Sequence, residues 1–146
     1  LTGRQYLHSS RDVRDYLIHS MRDLQKEVFN VIFLDSSHAV IDSVVMAEGT
    51  VNVNTVYPRE IIKKGLEFNA AALIIAHNHP SGSLSPSPQD LELTKSLALL
   101  CVMMQISLLD HFIIGDGALS FADEGYMAAI HTEVRAVLNG VASSSG

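Results

Sequence analysis

The sequence of residues 70–90 is AAALIIAHNHPSGSLSPSPQD. Its apolar beginning predicts a short buried strand from residue 71 to residue 76. The Gly, Pro and Ser residues that follow predict a loop, and the Ser-Pro-x-Asp sequence at 87–90 predicts the first turn of a helix. This segment therefore places His77 and His79 where a buried strand passes into a loop.

The spacing of the two histidines gives their side chains a common direction. In an extended chain, side chains at positions i and i+2 point to the same side, so His77 and His79 can both reach one divalent metal ion. The loop then returns the chain so that Asp90 can supply an oxygen ligand. Two histidines and one carboxylate, with a fourth position left for water, are the ligand pattern of a catalytic zinc site.

Each of these residues also has an explanation that requires no metal. A histidine near the end of a strand often makes ordinary hydrogen bonds, and seven histidines in the chain make a chance pair plausible. With Ser87 as the N-cap and Pro88 as the first helical residue, Asp90 is the third residue of the helix. The helix dipole stabilises a carboxylate at this position, and the carboxylate can also close a capping box. The two roles of Asp90 are compatible, and spacing alone does not separate them.

A hydrolytic zinc site also needs a base, usually a carboxylate that is not itself a ligand. The candidates are Glu27, Glu48, Glu60 and Asp110. Glu60 lies in the first turn of a predicted helix and Glu48 precedes a glycine, so both have ordinary explanations. Glu27 opens an apolar strand, and the local sequence favours a solvent-exposed strand end over a cleft. Asp110 and its neighbour His111 are more typical of a structural pair than of a second metal site.

Composition limits the classes of function. The chain has 146 residues, 47% of them hydrophobic and 18% charged, which is typical of one compact domain. A single cysteine, Cys101, excludes an internal disulfide and favours a cytoplasmic location. No apolar run approaches the roughly 18 residues of a membrane span. The net charge of −6, without any basic run, predicts no direct binding of nucleic acid.

The pattern along the chain predicts the element order α-β-β-α-β-α-β-β-α and thus an α/β fold with a mixed β-sheet flanked by helices. The first helix is predicted to begin at Ser9 or Ser10 and to continue to about Lys26. The last helix is predicted from Asp123 to Leu138. Because the chain begins without an initiator Met, we expect it to be a fragment of a longer protein or a processed form.

Two sets of residues resemble known families. The spacing of His77, His79, Ser87 and Asp90 is similar at every position to the JAMM (MPN+) metalloprotease signature, H-x-H-x7-S-x2-D. The surrounding sequence resembles the RadC family of bacterial proteins, and this resemblance covers roughly residues 27 to 120. The similar segments are YPRE at 57–60, NAA at 69–71, HNHPSG at 77–82 and DHFIIG at 110–115.

The resemblance implies a JAMM/MPN (cytidine-deaminase-like) fold with one Zn²⁺ held by His77, His79 and Asp90. It also implies that Glu27 is the general base, which holds the zinc-bound water and passes its proton to the leaving amine. Ser87 would help to stabilise the tetrahedral intermediate. The implied activity is hydrolysis of peptide or isopeptide bonds, with a protein or peptide as the substrate.

The resemblance and the local sequence pattern together predict the domain boundaries. We expect an N-terminal helical segment at 1–26, a JAMM/MPN-like (RadC) domain at 27–140 and a flexible tail at 141–146. Self-association into a homo-oligomer stays open. In the eukaryotic JAMM enzymes the residue between the histidines is usually Ser or Thr; here it is Asn78, a difference that concerns the substrate more than the metal.

Two other functions are alternatives to hydrolysis. The domain can be a zinc-stabilised interaction module without turnover, although inactive relatives typically lose ligands and this signature is intact. It can also be an accessory domain of a DNA-repair protein, the role with which RadC was first associated, although the acidic composition gives that role no physical support.

Overall fold

The computed structural model describes residues 10–49 and 55–144. The elements follow the predicted order, which is confirmed together with the α/β class. They are α1 (Ser10–Met21), β1 (Val28–Leu34), β2 (Val40–Glu48), α2 (Pro58–Glu67), β3 (Ala72–Asn78), α3 (Pro88–Met103), β4 (Ser107–Gly115), β5 (Gly117–Ser120) and α4 (Tyr126–Ser144).

The five strands form one sheet in the order β2-β1-β3-β4-β5. β1 is antiparallel to both β2 and β3, β3 and β4 are parallel, and β5 is antiparallel to β4. Helix α3 is the crossover that parallel neighbours such as β3 and β4 require. In the β1–β3 pair Phe29 lies opposite His77. The first residues of β1 therefore lie beside the last residues of β3.

Helices cover both faces of the sheet, and each face has its own apolar core. One core packs α2, α3 and α4 against the sheet through side chains such as Ile61, Leu97 and Ile130. The other packs α1 against the opposite face through Val13 and Leu17. Burial on both faces explains why β1 and β3 are apolar along most of their length. None of the helices in the described part of the chain has the length and apolar character that crossing a bilayer requires.

Three helix boundaries differ from those predicted: the end of α1 and both ends of α4, which begins at Tyr126 rather than Asp123. Helix α1 ends at Met21 rather than near Lys26, and the alternative first residue, Ser9, lies outside the described residues. The carbonyl oxygens of Leu24 and Lys26 instead accept hydrogen bonds from the side-chain amide of Asn78, at 3.4 and 2.8 Å. This contact from a distant strand holds residues 24–26 in a non-helical conformation.

Helix α4 continues to Ser144, past the predicted end at Leu138. The helix includes Gly140, because a glycine in a helix costs only about 1 kcal/mol relative to alanine and does not end it. Residues 145 and 146, the end of the predicted tail, lie outside the described residues.

Leu17 and Leu24 offer a matched test of whether α1 unfolds with the sheet. Leu17 is fully buried against the sheet, whereas Leu24 is 38% exposed. Replacing Leu17 with Ala should lower the free energy of unfolding by about 2–5 kcal/mol, the usual loss for a buried leucine. Leu24→Ala should change it by about 0.5 kcal/mol or less. Urea denaturation followed by circular dichroism measures both. If both substitutions changed the free energy of unfolding by about 0.5 kcal/mol or less, residues 10–21 would not belong to the cooperative unit of the sheet.

Candidate metal centre

The ends of β1 and β3 bring three potential metal ligands together. His77 is the penultimate residue of β3, His79 lies one residue beyond it, and Glu27 lies one residue before β1. Since the two strands are antiparallel, Glu27 meets the histidines. One ligand atom from each of these three side chains lies within 4.8 Å of the others.

Asp90 reaches the same point from the first turn of α3. Its Oδ1 atom lies 3.0 Å from Nε2 of His77, and its Oδ2 atom lies 3.5 Å from Nε2 of His79. Asp90 also forms a capping box with Ser87: the Ser87 amide donates to Asp90 Oδ2, and the Asp90 amide donates to Ser87 Oγ. The carboxylate therefore caps the helix and contacts both histidines.

The loop between β3 and α3 is fastened to the end of β4. The His79 amide donates to the carbonyl of Ile114 at 2.7 Å, and the Asp116 amide donates to the carbonyl of Gly82 at 2.8 Å. A Cβ atom on Gly115 would lie only 2.5 Å from the Gly82 carbonyl oxygen, so this approach requires glycine at 115. The fastened loop holds the imidazole of His79 in place.

The charges of the centre follow from its hydrogen bonds. The hydrogen bond to Asp90 raises the pKa of His79 above its ordinary value, although partial burial acts in the opposite direction. Burial alone would raise the pKa of Asp90, but its hydrogen bonds with His77 and His79 outweigh burial and hold that pKa well below the usual range. Asp90 therefore carries a negative charge beside two imidazoles, a position that favours a cation.

The donor atoms fit a zinc ion in kind and in spacing. The Nε2 atoms of His77 and His79 lie 2.9 Å apart, and the Asp90 oxygens lie 3.0 and 3.5 Å from them. Two ligands of a tetrahedral zinc, each about 2.0–2.1 Å from the metal, lie about 3.3 Å apart. Nδ1 of His79 lies 3.0 Å from the carbonyl oxygen of Ser83, which can only accept, so the ring donates there. In the neutral ring this leaves the lone pair on Nε2, the atom that faces Asp90.

A pocket of about 480 Å³ opens beside these side chains. Glu27 and His79 form part of its wall, so a molecule in the pocket can contact both. The lining residues are Lys26, Glu27, Gly49, His79, Pro80 and Ser81.

The other candidate bases lie elsewhere. Glu48 and Glu60 are exposed, at the end of β2 and in the first turn of α2. Asp110 is buried and accepts hydrogen bonds from the Ser120 hydroxyl and from the backbone amides of His111 and Ala122. Burial raises the pKa of Asp110, and these hydrogen bonds only partly oppose the effect. Asp110 thus ties β4 to the turn after β5.

His111 has a different place, which the sequence did not indicate. Its Nε2 atom lies 2.8 Å from Nδ1 of His77, so it contacts one of the two histidines of the centre directly. Complete burial lowers the pKa of His111 well below its ordinary value, which keeps the ring neutral. The parallel pairing of β3 and β4 creates this contact.

Asn78 is a second residue whose position was not predicted. It is 1% exposed and points to the face of the sheet opposite His77, as alternation along a strand requires. Its Oδ1 atom accepts a hydrogen bond from the backbone amide of Val28 at 2.7 Å, and its Nδ2 atom donates one to the carbonyl of Lys26 at 2.8 Å. Asn78 therefore holds the backbone on both sides of Glu27. It does not face the pocket beside His79.

Comparison with known proteins identifies the family. The family model described as the RadC-like JAB domain matches residues 7–126. The chain belongs to the RadC family. It is 51% identical over 122 residues to a UPF0758 protein of Photobacterium profundum, 46% identical to one of Vibrio parahaemolyticus and 44% identical to one of Aliivibrio fischeri. Each match covers 83% of this chain and 54% of the relative.

The family sets the coarse chemistry of the domain. JAB domains include metal-dependent hydrolases and typically bind zinc, which agrees with the cluster of His77, His79 and Glu27. The names of the relatives state no activity. This RadC chain spans about half the length of the curated relatives it matches.

Replacing Asn78 tests whether it positions Glu27. Asn78→Ala leaves the Val28 amide and the Lys26 carbonyl without their partner, so the free energy of unfolding should fall by about 1–3 kcal/mol. Asn30→Ala is the matched control, because Asn30 is a buried amide on β1 that bonds Ser43 instead. If Asn78 positions Glu27, turnover should fall with Asn78→Ala far more than with Asn30→Ala at equal zinc content. Equal losses of turnover would contradict that role.

Proposed function

We propose that this RadC domain is a zinc-dependent hydrolase of peptide or isopeptide bonds. The observation that carries the proposal is the convergence of four side chains beside one pocket, which Glu27 and His79 line. His77, His79 and Asp90 supply two nitrogens and a carboxylate, and Glu27 adds a second carboxylate at the pocket wall. Two histidines and one carboxylate beside an open position are the ligand set of a catalytic zinc.

Each of the three ligands is held in place by the fold. His77 is held by β3, His79 by a loop fastened to β4, and Asp90 by the capping box with Ser87. Such preorganised donors would bind zinc with little rearrangement. A bound zinc ion would polarise the carbonyl of the substrate and lower the pKa of a water molecule that it coordinates.

Glu27 is suited to the role of general base. Its carboxylate lies within 4.8 Å of a nitrogen of each histidine, and it lines the pocket rather than the core. From this position Glu27 can take a proton from the attacking water and pass it to the departing amine. General base catalysis of this kind contributes about 10²–10⁴-fold to a rate.

Ser87 is suited to a supporting role. Its Oγ atom accepts a hydrogen bond from the Asp90 amide, and an oxygen that accepts at the cap keeps its own O–H proton for donation. Donation to the oxygen that becomes negative in the transition state would stabilise it.

The substrate we propose is a protein or a peptide. The pocket is open, and Gly49 and Pro80 line it beside Glu27 and His79. The net charge of −6 offers no electrostatic attraction for nucleic acid. The longer relatives also contain segments that this chain does not span, and those segments can supply further contacts to the substrate.

Metal content tests the ligand assignment. The wild-type chain purified with zinc present should contain about one zinc per chain by elemental analysis, since a structural or catalytic site takes one ion. His77→Ala should contain none, because it removes a nitrogen that lies next to Asp90 and His79. The control is His131→Ala, which removes a histidine that lies on α4 and hydrogen-bonds to the carbonyl of Leu108. Equal zinc content in wild type and His77→Ala would refute the assignment.

Replacement of Glu27 separates metal binding from catalysis. Glu27→Gln keeps the size of the side chain but removes its basicity, so zinc content should persist while turnover falls by about 10²-fold or more. Glu48→Gln is the control, since Glu48 is exposed at the end of the neighbouring strand. A panel of peptide and isopeptide substrates measures turnover. A zinc-loaded wild-type chain that cleaves none of them would favour the interaction module, and full activity of Glu27→Gln would exclude Glu27 as the base.

A further inference from the structure

A chain of buried hydrogen bonds extends from His77 into the core, on the side away from the pocket. Nδ1 of His77 lies 2.8 Å from Nε2 of His111. Nδ1 of His111 lies 2.6 Å from the hydroxyl of Thr94, and that hydroxyl lies 2.6 Å from the backbone carbonyl oxygen of Asp90. The chain thus begins at one proposed ligand, His77, and ends at the backbone of another, Asp90.

The end at Asp90 determines the direction of the donors. A carbonyl oxygen can only accept, so the single proton of the Thr94 hydroxyl points to Asp90. The oxygen of Thr94 must then accept from His111, which places a proton on Nδ1 of His111. Helical spacing makes this arrangement possible, because Asp90 and Thr94 are four residues apart and share one face of α3.

The surroundings of His111 determine the next step. Its ring has no exposed surface and packs against Phe121, with ring centres 4.5 Å apart, and against the edge of Phe29. A charged imidazole in such an apolar site would be costly. The neutral ring, protonated on Nδ1, has its lone pair on Nε2. It therefore accepts a hydrogen bond from Nδ1 of His77.

We propose that Thr94 and His111 are positioning residues that hold His77 in the tautomer protonated on Nδ1, so that its Nε2 lone pair faces the metal site. This inference rests on the proposed function, because Nε2 of His77 lies 3.0 Å from the Asp90 carboxylate and can donate to it when no metal is bound. His79 reaches the same tautomer by another route, through the carbonyl of Ser83. The two rings then present equivalent nitrogens 2.9 Å apart.

The consequence is a dependence of zinc affinity on two residues that do not contact the metal. Partners that orient a metal-binding histidine typically contribute 10–100-fold to metal affinity. Without the acceptor at His111, the His77 ring loses its preference between tautomers and its fixed orientation. Without the Thr94 hydroxyl, His111 loses the acceptor that keeps its own proton on Nδ1.

Threonine 94 allows a closely matched test. Thr94→Val keeps the shape of the side chain and removes the hydroxyl, and zinc affinity measured by competition with a chelator should fall about 10–100-fold. Thr94→Ser restores the hydroxyl and should recover most of the affinity. Thr132→Val is the control, because the exposed Thr132 hydroxyl donates to the carbonyl of Ala128, four residues earlier in α4, and bonds no histidine in the described structure. Wild-type affinity in Thr94→Val would overturn the proposal.

His111 is tested by two variants of similar size. His111→Gln offers a carbonyl oxygen to Nδ1 of His77, whereas His111→Leu offers no acceptor. Zinc affinity should therefore be higher in His111→Gln than in His111→Leu, and urea denaturation of the metal-free variants shows how much of any loss is folding. Equal affinities in two variants of equal stability would mean that the contact with His77 has no effect on the metal.

Zinc affinity and turnover together separate this inference from the proposed function. If the chain binds zinc with the expected dependence on Thr94 but cleaves no peptide or isopeptide substrate, the proposed hydrolase function fails and the positioning role stands. If the wild-type chain cleaves substrate but Thr94→Val binds zinc as tightly as wild type, the positioning role fails and the proposed function stands.

Discussion

One carboxylate joins the start of α3 to the end of β3. The Asp90 carboxylate accepts a hydrogen bond from the backbone amide of Ser87. The oxygens of the same carboxylate lie 3.0 Å from Nε2 of His77 and 3.5 Å from Nε2 of His79. The capping box restricts the direction of that side chain, and the positive end of the helix dipole favours its negative charge. The site depends on this shared residue, because its carboxylate contacts Nε2 of both imidazoles. The loop from 80 to 87 and its contact with β4 keep the helix start in range.

The alternation of side chains along β3 gives its last residues different tasks. His77 points toward α3 and joins His111, while Asn78 points toward α1 and holds the backbone around Glu27. The polar groups of both residues are buried, and each has hydrogen-bond partners, as the cost of burying an unpaired polar group demands. A single strand therefore carries a proposed ligand, His77, on one face and holds the backbone of the proposed base through Asn78 on the other. Substitution at 78 acts on the base through the backbone.

Local sequence was sufficient for most of the fold. The apolar strands and the Ser-Pro-x-Asp helix start predicted the element order, which the structure confirms. The predicted ends of α1 and α4 were wrong. The end of α1 depends on hydrogen bonds from Asn78, more than 50 residues away, to Leu24 and Lys26. The end of α4 differs because Gly140 only weakens a helix. Only the first of these effects lies outside a short window of sequence.

The candidate site likewise has one part that local sequence predicts and another that only the tertiary structure brings together. The spacing of His77, His79, Ser87 and Asp90 was enough to predict the two histidines, the capping box and the carboxylate, because these residues lie within one strand, one loop and one helical turn. Local sequence favoured an exposed strand end for Glu27, and it treated His111 as part of a structural pair. Only the antiparallel register of β1 with β3 brings Glu27 to the histidines, and only the parallel pairing of β3 with β4 brings His111 to His77. Contacts within a segment follow from backbone geometry, whereas contacts between strands exist only after the sheet has paired.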